Sequence, residues 1–179
     1  MFARVIAIAV LVLAPMLSFG TALADAPPIL TISGEITNTN RGPSAADDTT
    51  VLGAQDIAFE AGFAVTRAEL AALPQRSITT MAAGVEATFT GPALADTLAL
   101  AGASGDTLIV TALDGYSVAM DRVFMEAHQP ILAIAATGFS LAIGDYGPTM
   151  IVFPPTDDAD LQDEFNGLQV WAILHISAE

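Results

Sequence analysis

The sequence predicts an α+β domain in which strands outnumber helices. Short apolar runs bounded by Gly and Pro recur along the chain, and only a few segments carry helix caps. The two kinds of segment do not alternate regularly, so the pattern is not that of a parallel βαβ array. With 53% hydrophobic and 14% charged residues, the chain is far too apolar for intrinsic disorder.

The order of elements follows from local chemistry. Ala26-Pro27-Pro28 is a stiff leader, and Ile29 to Ile36 reads as a strand broken at Gly34. Asn38 to Asp48, centred on Arg41-Gly42-Pro43, is turn-rich and reads as a surface loop. Ile57 to Glu60 is a short apolar run. Thr66 with Glu69 three residues on forms a capping box ahead of Leu70 and Leu73, and Pro74 follows the helix end. Ile78–Met81 and Val85–Phe89 read as strands around Gly84, and Gly91-Pro92 turns the chain into a helix over Ala93–Ala101. Thr107–Leu113 and Tyr116–Met120 flank Asp114-Gly115, a strong hairpin dipeptide. Ile131–Ala136 and Thr149–Phe153 read as strands. The acidic run Asp157 to Glu164 suits the first turn of a short helix, where carboxylates complement the helix dipole. Val170–Ile176 reads as the final strand, and no internal repeat is present.

The first residues carry an export pattern. Arg4 precedes the apolar run Val5–Leu17, and Ala22-Leu23-Ala24 has the small-x-small form that a signal peptidase reads. The run falls short of the roughly 20 apolar residues a membrane span needs, and no later segment is long and apolar enough to span. Residues 1–24 are therefore expected to be a signal peptide and residues 25–179 a single domain in a periplasmic or secreted setting. An uncleaved segment would instead leave the domain tethered by its N-terminus.

Charge and redox chemistry narrow the function classes. Five Lys+Arg, all of them arginine, stand against 20 Asp+Glu, giving a net charge of −15; loss of Arg4 takes it to about −16. Such a surface repels phosphate backbones, so nucleic-acid binding is not expected. The same charge serves solubility or a basic partner. The absence of cysteine removes thiolate nucleophiles, Cys-ligated metals and redox dithiols.

Several segments carry a resemblance in their order and spacing. They are Leu30 to Ile36, Leu70-Ala71-Ala72-Leu73-Pro74 followed by Ile78-Thr79-Thr80, Phe89-Thr90-Gly91-Pro92-Ala93-Leu94 and Gly102 to Gly105. Ala112 to Val118, Tyr146-Gly147-Pro148, Ile151-Val152-Phe153-Pro154 and Val170-Trp171 continue the series. Together they resemble the molybdopterin-binding domain of sulfite-oxidase-type oxidoreductases, in a small exported form, over almost all of residues 25–179. The resemblance implies a compact β-rich sulfite-oxidase-type fold. In that family a protein thiolate completes the sulfur ligands of molybdenum. This chain has no cysteine, and Thr80 to Ala83 stands where the ligand is expected. Threonine, methionine and alanine do not replace a soft anionic thiolate. Basic residues that relatives carry before Gly147-Pro148 and before the last tryptophan are also missing, the first position being Tyr146.

The expectation is a non-catalytic binding or partner module with no catalytic residue, no cofactor and no metal ligand set. The alternative is a molybdopterin-dependent oxidoreductase, performing oxygen-atom or electron transfer, whose cofactor is held without cysteine. A third reading is a structural interaction domain with no pocket. Met81, Tyr146 and Asn166 are the candidate pocket residues, and the ligand expected in an acidic field is small and neutral or cationic, with a protein partner as the other option.

Other chemistry-bearing residues read as structural. His128, before Gln129-Pro130, is expected in a loop, and His175 in a strand with its side chain free to face solvent. Trp171 and Phe153 are expected in the core, with pocket lining as their alternative. Arg41, Arg67, Arg76 and Arg122 read as scattered surface charges. Asp157, Asp158 and Asp160 lack the ligand spacing and glycine of a calcium loop. No Ser-His-Asp order, nucleophile elbow or phosphate loop stands out. N-terminal sequencing of the protein recovered from its host is expected to begin at Asp25; a chain beginning at Met1 would show that the leader is retained.

Overall fold

The computed structural model describes residues 26–179; the expected signal peptide lies outside these described residues. The architecture is mixed α+β, with ten strands and four α-helices among the described residues. The main sheet joins β1 (Pro28–Gly34), β2 (Gly62–Thr66), β5 (Thr107–Ala112), β6 (Ser117–Asp121) and β10 (Ile173–Ala178) in the order β2-β1-β10-β5-β6. Within it β1 and β10 are parallel, with Thr31 beside His175, and every other pairing is antiparallel. A second sheet joins β3 (Gln75–Ala82), β4 (Val85–Pro92) and β8 (Ala135–Thr137), and β7 (Ile131–Ala133) pairs with β9 (Met150–Val152) as a two-stranded ribbon.

The helices begin and end where side-chain chemistry allows. At α1 (Arg67–Ala72), the Glu69 amide donates to Thr66 Oγ1 at 3.2 Å, and the Thr66 amide donates to Glu69 Oε2 at 2.7 Å. This reciprocal pair satisfies two otherwise orphaned donors, as the capping-box spacing predicts. Gly102, at φ 60°, closes α2 (Leu94–Ala101) through its amide bonds to the Ala99 and Leu98 carbonyls. Asp158 caps α4 (Ala159–Leu168), its Oδ1 accepting from the Asp160 and Leu161 amides.

The β7–β9 ribbon separates two cores. Leu132 and Ile151 point into the larger cluster with Leu30, Leu94, Leu98, Phe153 and Phe165. Their neighbours Ile131, Ala133, Met150 and Val152 point the other way, against Phe89, Ala82 and Ala87. Both faces of the ribbon are therefore buried, which is why its sequence is a continuous apolar run instead of an alternating one. Gly91 lets β4 approach this ribbon closely; a Cβ there would collide with the Leu132 carbonyl.

Several local expectations require correction. Ile131–Ala136 is not one strand: β7 and β8 belong to different sheets, with Ile134 turning the chain between them. His128 is not in a loop; it ends α3 (Arg122–His128) and packs on Phe124 and Phe165 at 4.4 and 5.1 Å between ring centroids. The sequence reading missed this helix, although Asp121 caps it by accepting from the Phe124 amide at 2.9 Å. It also missed β2, whose partner β1 is distant enough in sequence to leave no local hairpin signature.

The arginines are also not scattered surface charges. Arg67 donates to the Ile134 carbonyl and, at 3.1 Å, to the Pro148 carbonyl, bracing the two ends of the excursion between β7 and β9. Arg122 donates to the carbonyls of Gly105 at 2.5 Å and Ala103 at 3.3 Å. Arg41 donates to Thr31 Oγ1 at 2.8 Å. Only Arg76 has an exposed contact alone, to Gln129 Oε1. Hydrogen bonds to charged donors contribute about 1.5–3 kcal/mol. Urea unfolding should therefore show Arg67→Met destabilised by about 2–3 kcal/mol and Arg76→Met by less than about 0.5 kcal/mol; equal effects would refute the bracing role.

Candidate functional site

An open cleft of about 550 Å³ lies beside the second sheet, and Met81, Tyr146 and Asn166 all line it. Three separate segments supply them. Met81 comes from the end of β3, just before the tight turn Ala82-Ala83-Gly84-Val85, in which both central residues have positive φ (49° and 79°). That left-handed pair is the geometry of a type I′ hairpin turn. Met81 is 58% exposed and so presents its thioether to the opening. Tyr146 precedes the cis Gly147–Pro148 bond. The chain doubles back so closely there that a Cβ on residue 147 would collide with the Leu141 carbonyl. Asn166 lies in the last turn of α4.

Trp171 completes the cleft, contrary to its expected place in the core; it is 42% exposed, while Phe153 is buried as expected. The reversal has a local cause. Val170 and Ile173 are buried, but Ala172 adopts φ 52°, which interrupts strand alternation and turns Trp171 outward. The Ala172 amide donates to the Tyr146 carbonyl at 3.0 Å, and its carbonyl accepts from the Leu113 amide at 2.8 Å. These bonds hold an alanine in a conformation that costs about 1–2 kcal/mol outside glycine. Phe139, Tyr146 and Trp171 then form a continuous aromatic wall, with consecutive centroids 4.4 and 4.9 Å apart. Met150 closes the floor and Gln169 stands beside Asn166. The Gln169 Nε2 donates to Asn166 Oδ1 at 3.4 Å, while Gln169 Oε1 is buried with no hydrogen-bond donor among the described residues.

The cleft offers aromatic faces, thioethers and amides. Among its lining residues there is no thiolate, imidazole, carboxylate or basic side chain. A pterin dithiolene ends in a phosphate that needs donors and positive charge, and its metal needs soft anionic support. Arg67 reaches the neighbouring Pro148, but both of its observed bonds go to backbone carbonyls. The donor set therefore does not fit molybdopterin. Among the described residues, no group of three or more His, Asp or Glu side chains is arranged to hold a metal ion.

A second constellation lies apart from the cleft. Ser33 Oγ and His175 Nε2 are 2.8 Å apart across the parallel β1–β10 pair. His175 is 4% exposed and not solvent-facing: the turn-rich strap before β2 folds over it, and Phe59 stacks on its ring at 5.7 Å. Arg41 lies 6.0 Å above the other ring, from the same strap. Ser33 is also buried, and no carboxylate bonds the imidazole among the described residues, so the pair is a buried link between two core strands, with the strap resting on it through Phe59, rather than an exposed nucleophile. The two histidines lie in different clusters, His128 against α4 and His175 beneath the strap.

Burial, with Arg41 adding to it, lowers the pKa of His175 from 6.5 to about 4. Between those values the unfolded chain binds a proton that the folded chain refuses. Stability from the neutral imidazole is thus complete above pH 6.5 and is lost as pH falls towards 4. The loss reaches about 3 kcal/mol. Urea unfolding from pH 7.5 down to 5 should show His175→Gln with a shallower pH dependence than the parent; parallel curves would refute it.

No family model matches the chain, and no curated protein matches it. No helix among the described residues is long and apolar enough to cross a membrane.

Proposed function

We propose that the chain is an exported, non-catalytic binding module on a sulfite-oxidase-type scaffold that has lost molybdenum ligation. An open cleft on which Met81, Tyr146 and Asn166 converge is also what a cysteine-independent molybdopterin site predicts; the observation that carries the reading is the lining, which holds no thiolate and no cationic side chain. A purely structural interaction domain has no use for an aromatic-walled cavity of this size, held by two strained alanines. The cleft without a thiolate or a cation favours binding over the alternative of a cysteine-independent molybdopterin oxidoreductase. Its contents suit a neutral or cationic small molecule, since the net charge of −15 repels anions.

The test is the composition of the protein as its host makes it. After purification from molybdenum-replete cells, metal and pterin analysis is expected to find substoichiometric molybdenum and no bound pterin. Stoichiometric molybdopterin would overturn the reading.

A further inference from the structure

Behind Trp171 the cleft continues into a second compartment of about 260 Å³. Asn166, Gln169 and Trp171 line both, so the indole is the ridge between them. The first compartment is uncharged. The second adds Asp114, Tyr116 and Gly167.

The groups facing this compartment are electron-rich. Asp114 Oδ1 accepts the Tyr116 amide at 3.0 Å, and its second oxygen has no hydrogen-bond or ion-pair partner among the described residues. The last turn of α4, a ten-residue helix, supplies Asn166 and Gly167 and carries no basic side chain, so the negative end of its dipole is uncompensated. Tyr116 Oη donates to the Gly167 carbonyl at 3.4 Å, tying the phenol to that helix end. Its ring and the indole of Trp171 are half-exposed, and aromatic faces attract cations.

From this convergence we infer that the compartment between Tyr116 and Trp171 is a subsite for a small organic ammonium ion. The inference rests on the cleft being a binding site and specifies its ligand class. Trp171 and Tyr116 supply cation–π faces, Asp114 supplies the countercharge, and α4 adds its negative end. A methylated ammonium suits the mixture, because it needs charge complementarity and apolar contact with few directed hydrogen bonds. The rest of an elongated ligand would lie along the wall formed by Tyr146 and Phe139.

Trp171 is the only tryptophan in the chain, so its fluorescence reports occupancy without a label. The probes are choline and 3,3-dimethylbutan-1-ol, which share shape and differ in charge. Choline is expected to give a saturable change with an apparent Kd about tenfold below that of the alcohol, the ratio a cation–π contact of moderate strength produces. Asp114→Asn keeps the turn, since asparagine makes the same side-chain bond to the following amide. It should weaken choline about fivefold or more and leave the alcohol unchanged. Equal affinity for the two probes, choline binding unaffected by D114N, or no saturable response to choline would each overturn the ammonium subsite. The parent reading stands or falls separately, on the metal and pterin analysis.

Discussion

The β7–β9 ribbon is the constraint on which the remaining architecture depends, because it is buried on both faces. Leu132 and Ile151 close the main core, while Ile131, Ala133, Met150 and Val152 close the smaller one. A two-stranded ribbon is marginal alone, so its stability comes from packing on either side. It also sets the position of the cleft. The chain leaves β7, contributes β8 to the second sheet, and returns through Phe139 and Tyr146 to Met150. Phe139 and Tyr146, two of the three residues of the aromatic wall, thus lie on a segment anchored at both ends in the core.

Positive charge is scarce in this protein, and the structure uses most of it internally. Arg67 and Arg122 bind backbone carbonyls, and Arg41 binds a threonine hydroxyl. The one ion pair among the described residues, Arg122 to Glu126 at 4.0 Å, is long and partly exposed and contributes little. With the cationic side chains turned to bracing, the acidic surface is left uncompensated. The cleft inherits that field, and its own electron-rich groups act in the same direction.

Two strained positions flank the same opening. Among the described residues, four other than glycine have positive φ, and two of them are Ala83, in the β3–β4 turn, and Ala172, beside Trp171. Each holds a cleft wall in place, and neither conformation is one an alanine adopts by preference. Retaining them is consistent with a cavity whose shape matters. His175 shows a different compromise: an imidazole kept neutral by burial links two core strands, and the Arg41–Phe59 strap rests on it over the far side of the main sheet.

Local chemistry made much of the fold legible. The capping box at Thr66, the glycine closing α2, the Asp114-Gly115 turn and the Asp158 cap each act through neighbours a few residues away, so sequence by itself determined them. Met81, Tyr146 and Asn166, the pocket candidates, line one cleft. What the sequence could not determine depended on partners far along the chain. Ile131–Ala136 divides between sheets because the ribbon and β4 pull its halves to different partners. Ser33 meets His175 across 142 residues, and Arg67 meets Pro148 across 81. Trp171 faces outward only because the Tyr146 and Leu113 backbones fix Ala172 in a left-handed conformation. Short-range hydrogen bonds are written in adjacent letters, whereas burial and charge at one point in space are set by whatever the folded chain brings there.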